Sequence, residues 1–141
     1  MLLGIIGAAR TSRKTVEETI EMFDKVDREG IRVYPEGARG ISKGIHDRQV
    51  LILTRIALQN KATAKEVVKR FSRIDKRGAS GKVNFYIPQM EVAVMVNISF
   101  EFGVSARAVT KRFFEIEKLG RETGISDGFH FNDASIVFLT R

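Results

Sequence analysis

The sequence predicts an α+β protein, a two-layer sandwich in which three capped helices lie on one face of a mostly antiparallel sheet. Three observations lead to this prediction: a sixteen-residue helical segment that occurs three times, short apolar runs between its copies, and a strictly alternating stretch before the third copy. The elements then follow one another as strand–helix–strand units within a single domain.

The recurring segment has the features of a capped amphipathic helix. Its copies span 15–30, 63–78 and 105–120, and each opens with Thr or Ser and closes with Gly. A Ser or Thr hydroxyl caps the first turn of a helix, Glu18 and Glu66 complete a capping box in two copies, and Gly favours the conformation that ends a helix. The second and third copies share eight of sixteen positions. The internal repeats are expected at approximately 1–35, 48–88 and 89–141.

The apolar runs around these helices predict the strands. In residues 92–102, Val, Ile and Phe alternate with smaller or polar residues, the period of a strand with one buried face. The run 50–58 is compatible with a strand or a helix, and it is assigned as a strand by analogy with residues 92–102, which precede the third copy. The remaining strands are expected at 2–7, 31–35, 83–87, 129–131 and 134–140, with a glycine-containing loop at 36–44. The first two units match the ferredoxin-like order of elements.

Composition restricts the class of protein. The chain of 141 residues has no cysteine, which excludes a disulfide framework, a thiol nucleophile and thiolate metal sites. Its apolar runs are far shorter than the ~20 residues that span a bilayer. We therefore expect a cytoplasmic protein with no membrane contact and no cofactor.

Positive charge is concentrated in one part of the chain. Lys and Arg total 24 against 17 Asp and Glu, a net charge of +7, and residues 61–82 contain eight basic and two acidic side chains. The first helix is acidic by contrast. The basic residues predicted to contact phosphates are Lys65, Lys69, Arg70, Arg73, Lys76, Arg77 and Lys82, with Arg107, Lys111 and Arg112 in the third helix.

These charges predict a non-enzymatic nucleic-acid-binding protein, regulatory or viral, with DNA favoured over RNA. The alternative is a protein-interaction module that uses strand edges and its acidic first helix to join copies of itself or to dock on a transcription complex.

A second pattern, in residues 97–113, resembles the helix-turn-helix of bacterial and phage repressors. The resemblance depends on Ser99, on Gly103 followed by Val104, and on Val109. It implies a winged helix-turn-helix fold as the alternative architecture, with the C-terminal hairpin as the wing. The groove-facing residues would be Ser105, Ala106, Arg107, Thr110 and Lys111. Arg112 departs from the pattern, which has an apolar residue there, and residues 55–71 can be read in the same way.

Catalytic signals are weak. His46 and His130 have no His or Cys neighbour in the sequence, so neither a catalytic nor a metal site is predicted. Gly4 and Gly7 precede a helix and suggest a phosphate-binding turn, which leaves a phosphate-ligand enzyme as a third hypothesis.

Overall fold

Six α-helices form the described part of the chain, and none of its residues lies in a strand. The computed structural model describes residues 1–37, 43–79 and 89–122. The helices are α1 (Leu2–Ser12), α2 (Val16–Val33), α3 (Asp47–Asn60), α4 (Ala64–Ala79), α5 (Gln89–Glu101) and α6 (Ala106–Glu122). The predicted two-layer α+β sandwich is therefore wrong.

The chain divides into two compact units, Met1–Ser72 and Arg73–Arg141, with the boundary inside α4. In the first unit α1, α2 and α3 pack against one another. In the second unit α5 packs against α6. Both units bury large apolar side chains, among them Val26, Leu53 and Phe71 in the first and Met95, Ile98 and Phe113 in the second.

The three predicted capped helices are confirmed as α2, α4 and α6. Each begins at the residue after its predicted cap, at Val16, Ala64 and Ala106. Each also continues beyond the glycine that was expected to end it, because Gly30, Gly78 and Gly120 all lie within helices. The predicted strand at 31–35 is consequently wrong, since α2 extends through Val33.

Gly30 has a packing role inside α2. The residue is buried, and a Cβ placed on it would lie 3.2 Å from both Cγ1 and Cδ1 of Ile45. The missing side chain therefore lets Ile45, itself only 3% exposed, approach the helix backbone closely. A glycine that the sequence indicates as a helix end is here a contact point between two segments.

The predicted strand at 92–102 is wrong, because α5 covers all but the last of these residues. Apolar or small side chains occupy most of both the even-numbered and the odd-numbered positions, so the alternation is also compatible with a helix. The buried positions recur at spacings of three and four, as in Val92, Met95, Val96 and Ser99. Burial of that face outweighs the few tenths of a kcal/mol by which β-branched residues disfavour a helix.

The predicted strands at 2–7 and 50–58 are likewise helical, in α1 and α3. In α3 the buried residues Val50, Leu53 and Ala57 have helical spacing, and the Thr54 hydroxyl donates to the Val50 carbonyl at 2.7 Å. Short apolar runs do not distinguish a buried strand from a buried helix, and the six-residue run 2–7 is helical in spite of its strand-like length.

Several predicted elements lie outside the described residues. These are the strands at 83–87, 129–131 and 134–140, the last two of which would form the wing, and the middle of the loop at 36–44. No helix within the described ranges has both the length and the apolar composition needed to cross a bilayer.

Candidate nucleic-acid interface

The same short turn joins α1 to α2, α3 to α4 and α5 to α6. Each turn contains one residue in the left-handed conformation: Arg13 (φ 56°), Lys61 (φ 53°) and Gly103 (φ 67°). The N–H of the next residue donates to a carbonyl five positions earlier: Lys14 to Ala9 at 2.9 Å, Ala62 to Ala57 at 3.0 Å, and Val104 to Ser99 at 3.1 Å. This is the hydrogen bond of a Schellman-type helix end. We count each turn from its left-handed residue to the cap of the next helix, as 13–15, 61–63 and 103–105; Phe102 also lies between α5 and α6.

The third residue of each turn caps the following helix. Its hydroxyl accepts a hydrogen bond from the backbone N–H three positions later, as the predicted N-caps require. The pairs are Thr15 with Glu18 at 3.1 Å, Thr63 with Glu66 at 3.1 Å, and Ser105 with Ala108 at 3.0 Å. The chain thus forms helix–turn–helix pairs, in place of the predicted strand–helix–strand units.

The middle residue of the turn distinguishes the first pair from the other two. Lys14 is exposed, whereas Ala62 is 8% exposed and Val104 is half-buried. The second and third turns therefore share an apolar residue that is buried or half-buried, and the first turn has an exposed cation at the same position.

The pairs α3–α4 and α5–α6 also bury corresponding residues, at the offset that relates Thr63 to Ser105. The positions that match are Val50 with Val92, Leu53 with Met95, Ile56 with Ile98, Val67 with Val109, Phe71 with Phe113, and Ile74 with Ile116. The second and third copies resemble each other in sequence, and this burial pattern extends the resemblance to the helices that precede them, α3 and α5. The consecutive helices α3–α4 and α5–α6, which we call the two helix pairs, therefore share a turn and a burial pattern.

The basic face of α4 comprises four exposed cations, which are Lys65, Lys69, Arg73 and Lys76. Their spacing of four, four and three residues places them along one side of the helix, as the sequence predicts. Arg77 is also exposed and Arg70 is half-buried, while Lys82 lies outside the described residues.

An acidic side chain lies near the start of this face. A hydrogen bond from Arg32 holds the pKa of the Glu29 carboxyl below its ordinary value, and the positive charges of Arg32 and Lys65 act in the same direction. The charge of Lys65 is therefore partly offset within the protein itself. Glu66, one residue further along α4, is exposed and its carboxylate accepts from the Thr63 hydroxyl at 3.1 Å.

The basic face of α6 comprises Arg107 and Lys111, which are both exposed in its first two turns. Arg112 is half-buried and forms an ion pair with Glu115 at 3.2 Å. Lys118 pairs with Glu122 at 3.8 Å in the last turn. The cations of α6 that have no acidic residue close by in the sequence, Arg107 and Lys111, therefore lie in its first half.

Two of the five residues expected to face a groove are buried. Ala106 is 7% and Thr110 is 4% exposed, and the Thr110 hydroxyl donates to the Ala106 carbonyl at 2.6 Å. The exposed residues of these turns are Ser105, Arg107, Ala108 and Lys111. Sequence reasoning missed Ala108, although the helical phase set by the apolar residues Val109 and Phe113 places it on the outer side.

The acidic helix α2, the first of the three helices predicted from the sequence, has no comparable basic face. Along α2, Lys25 pairs with Glu21 at 3.5 Å and Arg28 pairs with Asp24 at 3.0 Å. Its cations are therefore neutralised within the helix, which gives α2 little attraction for phosphates.

The features considered for catalysis have structural roles where they are described. His46 caps α3, since its Nδ1 accepts from the Arg48 N–H at 3.2 Å. Gly4 and Gly7 lie inside α1, so the expected phosphate-binding turn does not exist. His130 lies outside the described residues, and within them no group of three His, Cys, Asp or Glu side chains is placed to hold a metal.

Comparison with known proteins finds no matching family model, no matching curated protein and no matching solved structure. A proposal about function therefore depends on the geometry of this chain's own residues.

Proposed function

We propose that the protein is a non-enzymatic binder of double-stranded DNA that uses the helix pairs α3–α4 and α5–α6. The observation that carries the proposal is the coincidence of two features in both pairs. Each has a three-residue turn with a buried or half-buried apolar residue, and each turn is followed directly by a helix with exposed cations. DNA-binding helix-turn-helix proteins use this order, with the second helix entering the major groove.

The charges on the two second helices suit a phosphate-rich partner. Lys69 and Arg73 on α4, and Arg107 and Lys111 on α6, are all exposed. Each phosphate that such a side chain neutralises releases counterions from the DNA, so the affinity should fall steeply with salt. The ion-paired cations of α2 should contribute little.

Fluorescence anisotropy with labelled duplex DNA, single-stranded DNA and RNA tests the proposal. The test variant is Lys69→Glu with Arg73→Glu on α4. The matched control is Lys25→Glu with Arg28→Glu on α2, which changes the net charge by the same amount. We expect the α4 variant to abolish duplex binding and the α2 variant to retain most of it, with both folded by circular dichroism.

Two results would contradict the proposal. Equal losses in the two variants would show that net charge alone drives association. Preference for single strands or RNA over duplex DNA would exclude groove recognition by a helix.

Self-association is a second candidate function, and exposed apolar residues of α1 favour it. Leu2, Leu3 and Ile6 are 66%, 84% and 36% exposed. Large exposed apolar side chains close together often mark a protein contact. Sedimentation velocity of the wild type and of Leu3→Gln with Ile6→Gln would test this: a dimer that the substitutions dissociate supports it, and a wild-type monomer contradicts it.

A further inference from the structure

We propose that the two helix pairs have different roles in DNA binding: α6 contacts base edges, and α4 contacts the phosphate backbone. This inference rests on the proposed function and adds the residues that set sequence preference. It depends on how charge and side-chain size are distributed along the two second helices.

The exposed residues at the start of α6 are suited to a groove. They are Ser105, Arg107, Ala108 and Lys111, and the first acidic residue of the helix is Glu115. Arg and Lys donate to the acceptors of guanine, Ser bonds to several bases, and Ala contacts the thymine methyl group. Ser105 and Ala108 are also small enough to let the helix approach the base edges closely.

The start of α4 is less suited to a groove. Glu66 occupies the position that corresponds to Ala108, and it is exposed with its carboxylate held against the Thr63 hydroxyl. Glu29 lies within electrostatic range of Lys65 at the same end of the helix. Two carboxylates at this end would be repelled by the negative potential of the major groove.

The basic face of α4 is instead long. From Lys65 to Lys76 it extends for roughly 16 Å at the 1.5 Å rise per residue of a helix. A recognition helix contacts bases with its N-terminal residues, whereas a face of this length can neutralise several phosphates in succession. On α6, Arg107 and Lys111 are separated by one turn only, roughly 6 Å.

The test begins with a preferred sequence, selected from a pool of random duplexes by repeated binding to the full chain. Two variants that each remove two positive charges are then compared, Arg107→Ala with Lys111→Ala on α6 and Lys69→Ala with Arg73→Ala on α4. The Kd of each is measured for the preferred duplex and for a scrambled duplex, across a range of salt concentrations.

We expect the α6 variant to reduce the ratio of the two Kd values by about 10-fold or more, since each good base contact discriminates by roughly that factor. The α4 variant should weaken binding to both duplexes equally, so that the ratio changes by less than about 2-fold. Its slope of log K against log salt should become shallower by about 2, as expected for two lost phosphate contacts.

Three outcomes would contradict the separate roles of α4 and α6 while leaving DNA binding intact. These are a loss of preference in the α4 variant only, equal changes of the ratio in both variants, and a wild-type protein that selects no preferred sequence. Failure of the wild type to bind any duplex would overturn the proposed function itself and this inference with it.

Discussion

The backbone N–H of Val104 donates to the carbonyl oxygen of Ser99 at 3.1 Å, which closes the turn between α5 and α6. The bond requires Gly103, the residue before Val104, to take a positive φ of 67°. In the turn between α3 and α4, Lys61 takes the same conformation with a φ of 53°. The two turns therefore differ in how much backbone strain they contain.

Exchanging the residues at these two positions should have opposite effects on stability. Gly103→Lys should lower the free energy of unfolding by about 1 kcal/mol, because a side chain disfavours the left-handed region. Among the described residues, and apart from its two chain neighbours, none has an atom within 4 Å of a Cβ placed on Gly103, so the expected cost is conformational rather than steric. Lys61→Gly should raise the free energy by a smaller amount, since glycine also gives the unfolded chain more freedom.

Urea denaturation of the full chain would measure both changes. Lys61→Ala serves as the control, because it keeps the strained conformation and should be close to neutral. A neutral Gly103→Lys variant would mean that the turn tolerates a side chain and that Gly103 has another role.

Two glycines inside helices should respond differently to alanine. Gly7→Ala should raise the free energy of unfolding by about 0.5–1 kcal/mol, because alanine restricts the unfolded chain. In the described part of the chain, nothing beyond the adjacent backbone of α1 lies within 4 Å of the new Cβ. Gly30→Ala should lower this free energy, since its Cβ would lie 3.2 Å from two atoms of Ile45, and that side chain is only 3% exposed and has little room to move away. Thermal unfolding of both variants would show the contrast.

A double-mutant cycle would identify the cause of the Gly30→Ala effect. Ile45→Val removes Cδ1 and should cost less stability when combined with Gly30→Ala than by itself. Additive effects would show that Ile45 does not limit this position.

Asp27 should destabilise the folded protein at neutral pH. Partial burial raises the pKa of its carboxyl above the ordinary value of 3.8, and the negative charges of Asp47 and Asp24 raise it further. A raised acidic pKa gives stability that is present below the unfolded pKa and is lost as the pH rises through the folded pKa. Asp27→Asn should therefore stabilise the protein at neutral pH by on the order of 0.5 kcal/mol.

The gain from Asp27→Asn should disappear below pH 3.8, where the native carboxyl is already protonated. Melting temperatures across this range would measure the effect. Glu21→Gln on the same helix is the control, and it should give no gain because Glu21 pairs with Lys25 at 3.5 Å and is not one of the charges that raise the pKa of Asp27. A gain from Asp27→Asn that is independent of pH would contradict the electrostatic explanation.

The cap of α2 should depend on pH, and the cap of α6 should not. Glu18 accepts from the Thr15 N–H at 3.2 Å, and this hydrogen bond, together with one from the Thr15 hydroxyl, lowers the pKa of the Glu18 carboxyl. A lowered acidic pKa gives stability that is present above the unfolded pKa and is lost as the pH falls through the folded pKa. Glu18→Gln, which removes the carboxylate that both groups of Thr15 bond, should therefore cost more at neutral pH than well below 4.5, the ordinary value.

Ser105→Ala provides the comparison, because the bonded N–H belongs to Ala108 and no carboxylate takes part. Its cost should be about 1 kcal/mol and nearly constant with pH. Melting temperatures of both variants at neutral and acidic pH would test the difference. A parallel loss in the two variants would show that Glu18 does not strengthen its cap.

The starts of α2, α4 and α6 could be predicted from the sequence because an N-cap is a local contact. Thr15, Thr63 and Ser105 each bond to an N–H only three residues away, and the first turn of each helix follows. The exposed cations Lys69 and Lys111 could be predicted for the same reason, since helical spacing places them opposite the buried Phe71 and Phe113. The exposure of these cations in the candidate interface could therefore be predicted from the sequence without knowledge of the fold.

The helical state of the remaining segments could not be predicted in this way. Residues 50–58 and 92–102 are apolar on most sides, so their pattern does not separate a helix from a strand. The prediction that Ala106 and Thr110 would face a groove is wrong, because both residues are buried.

The sequence by itself thus determined where three helices begin and which side of each is charged, because these properties arise between residues three or four positions apart. Tertiary structure decided that the intervening segments are helices and that Gly30 continues a helix in place of ending it. The physical reason is that burial is not local: the contact of Gly30 with Ile45, like the packing of α5 on α6, joins residues whose proximity no short window of sequence contains.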